Sequence, residues 1–317
     1  MMQKLKKGVS NPNRVYLYLK DNAPINQEIQ QVGFYNGILF WLSKMYHRRL
    51  DPPSNPVSIW DRDWDLLIVL DACRSDMMKV CMSEYPFLNS METIWSVGGH
   101  SKEWLENTFK SASSDLIRET AYVTGNHYSD TVKDLPFAAF KNLQTIGLQD
   151  ELPAPPAHVV TDSAINVDRE REFDRLIVHY MQPHKPFISK YGGRTDVQMK
   201  KWSTGWELYQ NYITGGISKR ELWQGFVNNL HYVLSEVALL LENVDAPRTV
   251  ITSDHGNAFG EDFLWDHEIG VQHPSMRRVP WIETTASDEN TVSPSKYDSY
   301  IEEQKVEKRL DQLGYIT

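Results

Sequence analysis

The chain has 317 residues, 41% of them apolar and 24% charged, enough for one large α/β domain with a substantial core or for two modest domains. The formal net charge of −9 argues against a sequence-independent nucleic-acid binder, which needs a basic face. An anionic substrate stays open, because a bound divalent metal reverses the local field. Two cysteines, Cys73 and Cys81, are too few for a disulfide scaffold and read as small buried apolar residues.

Residues 1–58 read as an N-terminal extension. Its opening, MMQKLKKGVSNPNRVYLYLKDN, is basic but lacks the apolar run of a secretory signal. Residues 32–42 (VGFYNGILFWL) fall far short of the roughly 20 residues that span a bilayer. They read as a core helix, the other reading being a helix laid against a membrane surface. The expectation is a cytoplasmic protein with no transmembrane segment and at most peripheral membrane contact. The extension closes on Asp51-Pro-Pro-Ser-Asn-Pro56, whose prolines exclude a helix. Residues 59–317 then make one domain.

Three short apolar runs read as buried parallel strands: residues 64–70 (WDLLIVL), 175–180 (RLIVHY) and 248–253 (RTVITS). Helical stretches lie between them. The clearest covers residues 219–243, where Leu222, Phe226, Leu230, Val233, Val237 and Leu240 fall on one face. Alternating strands and helices imply an α/β fold, a doubly wound and mostly parallel sheet sandwiched by helices. Trp202, Trp206, Tyr209 and Tyr212 stand outside the core pattern and would cover the domain edge or stack on sugar rings. Residues 297–317, with Ile301, Val306 and Leu310 in helical register, read as a C-terminal helix ending near Gly314.

Each strand ends in polar residues, and ligands of such sheets sit at the carboxyl ends of strands. Asp254-His255-Gly256 ends the third strand. A carboxylate beside an imidazole suits zinc or a harder metal, and Gly256 lets the chain turn away. The Gly260-Glu261 turn sets up a return to His267, thirteen residues past Asp254. Asp71 ends the first strand, as a metal ligand or as the cap of the next helix. Arg74 and Asp76 suit a local ion pair or caps. His184 follows the second strand in Met181-Gln-Pro-His-Lys-Pro186, where two prolines fix the loop.

The order strand-Asp71, a hydroxyl residue about thirty positions on, Pro183-His-Lys-Pro186, Ser253-Asp-His-Gly256 and His267 resembles the alkaline phosphatase and sulfatase superfamily. The run Thr252-Ser-Asp-His-Gly-Asn-Ala-Phe-Gly-Glu261 with His267 is most similar to the phosphoethanolamine transferase and lipoteichoic acid synthase branch. Arg278-Val-Pro-Trp-Ile282 resembles the strand that follows this site in sulfatase-like proteins, and the tail at 306–315 resembles their C-terminal ends. The resemblance covers about residues 60–317 and leaves the first 58 aside.

What it implies is an alkaline-phosphatase-like hydrolase or phosphotransferase acting on an anionic ester, on a glycan or lipid-linked carrier. Asp71, Asp254 and His255 would bind one divalent metal, zinc or manganese first, magnesium or calcium as alternatives. Ser101, in Ser96-Val-Gly-Gly-His-Ser-Lys-Glu-Trp104, would be nucleophile and fourth ligand, or else a plain helix N-cap; Thr93 and Ser96 are weaker choices. His100 and Lys102 would contact the anionic group. His184 and His267 would stabilise substrate oxygens, protonate the leaving group or hold a second metal, and His273 is a further substrate contact. The Asp-x-x-x-His of two-metal members is missing, Asp162 being a weak substitute, so one tight and one loose metal are expected. Ser101-Lys-Glu-Trp-Leu105 and Cys73-Arg-Ser-Asp-Met77 both lack the formylglycine pattern of sulfatases, which favours phosphate over sulfate. The alternatives are a sulfatase-like hydrolase, a phosphomutase with residues 122–168 as a small cap, and a degenerate module that has lost its chemistry.

Overall fold

The computed structural model describes residues 26–52, 55–146, 152–170, 172–190, 194–195, 197–200 and 203–297. The basic N-terminal residues, Trp202 and the expected C-terminal helix lie outside them. In chain order the strands are β1 (Leu66–Leu70), β2 (Glu92–Trp95), β3 (Thr120–Thr124), β4 (Ala139–Asn142), β5 (Arg175–Tyr180), β6 (Ile188–Lys190), β7 (Val197–Met199), β8 (Ala246–Thr252), β9 (Ala258–Phe259), β10 (Trp265–Asp266) and β11 (Arg278–Ala286). Seven form the central sheet in the order β2-β11-β8-β1-β5-β3-β4. From β8 to β4 all pairings are parallel, and β11 runs antiparallel to β8 and β2. The expected doubly wound, mostly parallel sheet is the fold found.

The central strand explains the layering. Every residue of β1 is buried, as its unbroken apolar sequence requires of a strand covered on both faces. Leu66, Ile68 and Leu70 face one apolar cluster, Leu67 and Val69 the other. The first cluster holds the helices Ala157–Arg169 and Lys219–Leu241. The second holds Trp104, Leu105 and Phe109 of the helix Ser101–Ser111. All six apolar residues read on the 219–243 stretch are buried. That helix starts at a capping box, with Glu221 N–H donating to Ser218 Oγ and Ser218 N–H to the Glu221 carboxylate. Cys73 and Cys81 are free and buried. Residues 122–168 are no cap: their described part supplies β4 and the helix Ala157–Arg169 of the main layers. Among the described residues no helix is long and apolar enough to cross a membrane.

The N-terminal helices Asn26–Val32 and Phe34–His47 pack on the segment that carries His267. Phe40 is buried against Trp206. Lys44 is buried between Glu28 at 2.6 Å and Glu268 at 2.9 Å. Arg48 pairs with Glu268 and donates to the Ile269 carbonyl, and Gln272 N–H donates to the His47 carbonyl. Replacing Lys44 by alanine leaves Glu28 and Glu268 facing each other with no ammonium between them. The expected cost is about 3 kcal/mol, read as a lowered urea midpoint; an unchanged midpoint would show that the triad does not hold these helices in place.

Candidate active site

Neighbouring parallel strands bring the polar loops together. β8 delivers Ser253, Asp254 and His255, β1 delivers Asp71, β5 carries His179 and leads to His184, and β3 leads to Asn126. Backbone bonds lock these ends to one another: Asp71 N–H donates to the Tyr180 carbonyl, Gly125 N–H to His179, and His184 N–H to Asp71. The helix Ser101–Ser111 then aims its first residue at the same point.

Asp71, Ser101, Asp254 and His255 are all completely buried. His255 Nε2 lies 3.1 Å from Ser101 Oγ, 3.5 Å from Asp71 Oδ1 and 3.4 Å from Asp254 Oδ2. Ser101 Oγ lies 3.4 Å from Asp71 Oδ2. Donor atoms arranged tetrahedrally at zinc-ligand bond lengths stand roughly 3.3–3.4 Å apart. His255 Nε2 already stands at close to that separation from each of the other three side chains.

Hydrogen bonding leaves the right lone pairs unused. His255 Nδ1 lies 2.7 Å from the Gly256 carbonyl, which can only accept. A proton on Nδ1 satisfies that carbonyl and makes Nε2 the nitrogen turned toward a cation, the arrangement usual for a metal-ligating histidine. Asp71 Oδ1 and Asp254 Oδ2 have no hydrogen-bond partner among the described residues, and buried carboxylate oxygens are rarely left so. The other oxygens are held, Asp71 Oδ2 by Asn126 at 3.0 Å and Asp254 Oδ1 by the backbone N–H groups of Ala72 and His255. The residues fit a divalent cation.

Ser101 is not the N-cap. His100 caps the helix, its Nδ1 accepting from Lys102 N–H at 3.1 Å, so the Ser101 hydroxyl is left for the cluster. Gly98 is required by packing, since a Cβ there would lie 2.4 Å from Trp104 N. Gly256 likewise serves close approach, a Cβ meeting the Ser275 carbonyl at 2.3 Å, rather than the turn expected of it. Ser96 Oγ is spent on the Asp254 carbonyl, and Thr93 is exposed on β2. Lys102 is half-buried, and among the described residues its ammonium has no ion-pair partner.

A second group lies alongside. β9 and β10 form a hairpin about Gly260, in the left-handed region at φ 94°, and it returns His267 to the site. His267 Nε2 is 3.0 Å from His184 Nε2 and 3.5 Å from Asp266 Oδ1. The rings of His100 and His255 lie 4.7 and 4.6 Å from that of His267. His184 Nδ1 is 2.6 Å from the Lys185 carbonyl, which again leaves Nε2 bare. His184, Asp266 and His267 are a second set able to hold a cation. Asp266 is already engaged by buried Lys185 and by Tyr209 Oη.

Several expectations are corrected. Asp162 is far from this work, paired with Arg194 at 2.6 Å. His273 joins neither group; it caps the helix Pro274–Arg277 and faces Asp262 and His47. Tyr209 is buried beneath Asp266, whereas half-buried Trp206 and Tyr212 pack on Phe40 and Trp265 as a cover of the domain edge. Arg74 pairs with Asp76, as read, and also with Glu261. Asn126, His179 and Asp266 were not foreseen. Asn126 and His179, whose Nε2 is 3.6 Å from Asp254 Oδ2, support the carboxylates.

No protein-family model and no curated protein matches the sequence. Solved structures with some similarity to the chain include the following three. One is the soluble domain of lipooligosaccharide phosphoethanolamine transferase A from Neisseria meningitidis, 12% identical, with a TM-score of 0.47 over 74% of this chain and 78% of that one. Another is the periplasmic C-terminal domain of EcEptC from Escherichia coli in complex with zinc, 10% identical, with a TM-score of 0.40 over 84% and 86%. A third is an alkaline phosphatase superfamily protein from Vibrio parahaemolyticus, 12% identical, with a TM-score of 0.38 over 82% and 72%. At such identities the chemistry has to be read from the side chains themselves.

Burial dictates the charge states. It drives His100 down to about 3, with His255 adding to the effect. It also drives His184 and His267 well below the ordinary histidine value, helped by Lys185 and by His255 respectively. At neutral pH these imidazoles are uncharged lone-pair donors. Burial and the charge of Asp254 push Asp71 well up. Burial pushes Asp254 up too, but His255 and His179 outweigh it and hold that carboxyl below its usual range.

A carboxyl raised on folding stabilises the protein at low pH and loses that contribution as pH rises through its folded pKa. The Asp71 share of metal-free stability should therefore slope downward as pH rises above the ordinary aspartate value of 3.8, opposite to the gain that the lowered His100, His184 and His267 bring as pH rises toward 6.5. Asp71→Asn should flatten that slope in chelator-treated protein and reduce the rise in melting temperature that zinc gives wild type. An unchanged slope in pH-dependent melts would mean that Asp71 carries no such strain.

Proposed function

We propose that the chain transfers or hydrolyses a phosphate ester through Ser101, on a divalent cation held by Asp71, Asp254 and His255. The observation that carries this reading is the Ser101 hydroxyl, completely buried and 3.1 Å from Nε2 of His255, at the first position of a helix already capped by another side chain. A bound cation would lower the pKa of that hydroxyl and offset charge on the ester oxygens. The helix N-terminus adds its own positive end toward the phosphoryl group. His100 and the His184–His267 pair lie beside His255 at the place where those oxygens would sit, and Lys102 on the first turn of the same helix would add its positive charge. Ser101 Oγ would attack phosphorus while the P–O bond to the leaving alcohol breaks, giving a phosphoserine. Water, or the hydroxyl of an acceptor, would then displace Ser101 and regenerate it.

The second set is the looser one, since Asp266 is already balanced by Lys185. This supports one tightly held and one loosely held cation. An unmodified serine and the absent formylglycine pattern favour phosphate over sulfate. A glycan or lipid-linked ester is the proposed substrate class.

Two substitutions test the reading on nitrophenyl phosphate and bis(nitrophenyl) phosphate with zinc or manganese. Ser101→Ala should bring turnover to background, a loss of roughly 10³-fold or more, while the cation is retained. His267→Ala should lower turnover by more than about tenfold. Undiminished turnover by Ser101→Ala removes the serine mechanism, and turnover of sulfate esters alone would transfer the site to sulfate chemistry.

A further inference from the structure

Outside the active site one more group of metal-binding side chains converges, and it joins parts of the chain distant in sequence. His47 ends the helix Phe34–His47, Asp262 lies in the turn between β9 and β10, and His273 precedes the helix Pro274–Arg277. His47 is 8% exposed and its ring makes no hydrogen bond among the described residues; its Nδ1 is sealed from solvent without a partner. Its Nε2 points to Asp262 Oδ2 at 3.8 Å, beyond hydrogen-bond range. His273, equally buried, brings Nε2 to 3.3 Å from the same oxygen. The two imidazole rings meet edge to face at 4.9 Å. His273 Nδ1 accepts from Ser275 N–H at 3.2 Å and lies 2.7 Å from Ser275 Oγ, so the ring proton sits on Nε2 facing Asp262 and would leave as a cation binds. Asp262 is largely exposed, its side chain at 69%, so an ion could enter from solvent.

We propose that His47, Asp262 and His273 form a separate divalent-cation site of the zinc class, which staples the N-terminal helix to the loop carrying Asp266 and His267. Two imidazoles and one carboxylate suit a borderline ion better than magnesium or calcium, which prefer all-oxygen sets. Their separations of 3.3 and 3.8 Å bracket the roughly 3.3–3.4 Å edge of tetrahedral zinc, and water would fill the remaining position. The ion would fix His47, which otherwise sits buried with nothing to bond. It would do so independently of the chemistry at Ser101.

The test is zinc stoichiometry of the chelator-treated full chain by calorimetric titration, with magnesium in excess. Asp262→Ala, at an exposed position, and His47→Gln should each bind one zinc fewer than wild type. The same difference is expected when the substitutions are placed in a chain already carrying Asp71→Asn and Asp254→Asn, which separates this site from the catalytic one. Circular dichroism checks the fold, and Asp262→Ala decides the matter if His47→Gln does not fold. Wild-type stoichiometry in Asp262→Ala would overturn the proposal.

Discussion

Two carboxylates buried beside each other are the constraint on which the site depends. Asp71 and Asp254 each leave one oxygen without a hydrogen bond, and both of these oxygens face Nε2 of His255. Desolvated like charges at such range are strongly unfavourable unless a proton or a cation lies between them. The surrounding hydrogen bonds do not relieve the repulsion. They hold the remaining oxygens in place, through Asn126 and through backbone N–H groups. The fold therefore fixes a cation-shaped arrangement in advance, and the sheet supplies the stiffness that keeps it.

Rigidity has an identifiable source. The strands that deliver the ligands are adjacent, parallel and buried on both faces, so their ends cannot drift apart without breaking the core. The serine arrives from the opposite direction, on a helix anchored by Trp104, Leu105 and Phe109. The hairpin that returns His267 is the least embedded contributor, and it is the part braced by Lys44, Arg48 and the N-terminal helices. A region that reads as an appendage thus supports the side of the site opposite the main carboxylates.

The sequence showed what depends on local pattern. β1, β5 and the long helix announced themselves by apolar periodicity, and Asp71, Asp254 and His255 by standing at strand ends. Ser101 was legible from the glycines before it and the helix after it, although His100 and not a backbone turn frees its hydroxyl. What stayed hidden depends on tertiary placement. β3, Thr-Ala-Tyr-Val-Thr, is half polar and does not read as a core strand, so Asn126 at its end went unnoticed. His179 looked like one more residue of a buried strand. Asp266 needed the hairpin to be recognised as a ligand partner rather than a neighbour of His267. His273 was placed with the other histidines on sequence proximity, whereas the helix it caps turns it toward His47.

Anomalous diffraction from crystals of the full chain grown with zinc tests the central claim most directly. The expected result is a strong peak about 2.0–2.2 Å from one oxygen each of Asp71 and Asp254, from His255 Nε2 and from Ser101 Oγ. A map with no peak there, and with the two carboxylates drawn together around a shared proton, would contradict it.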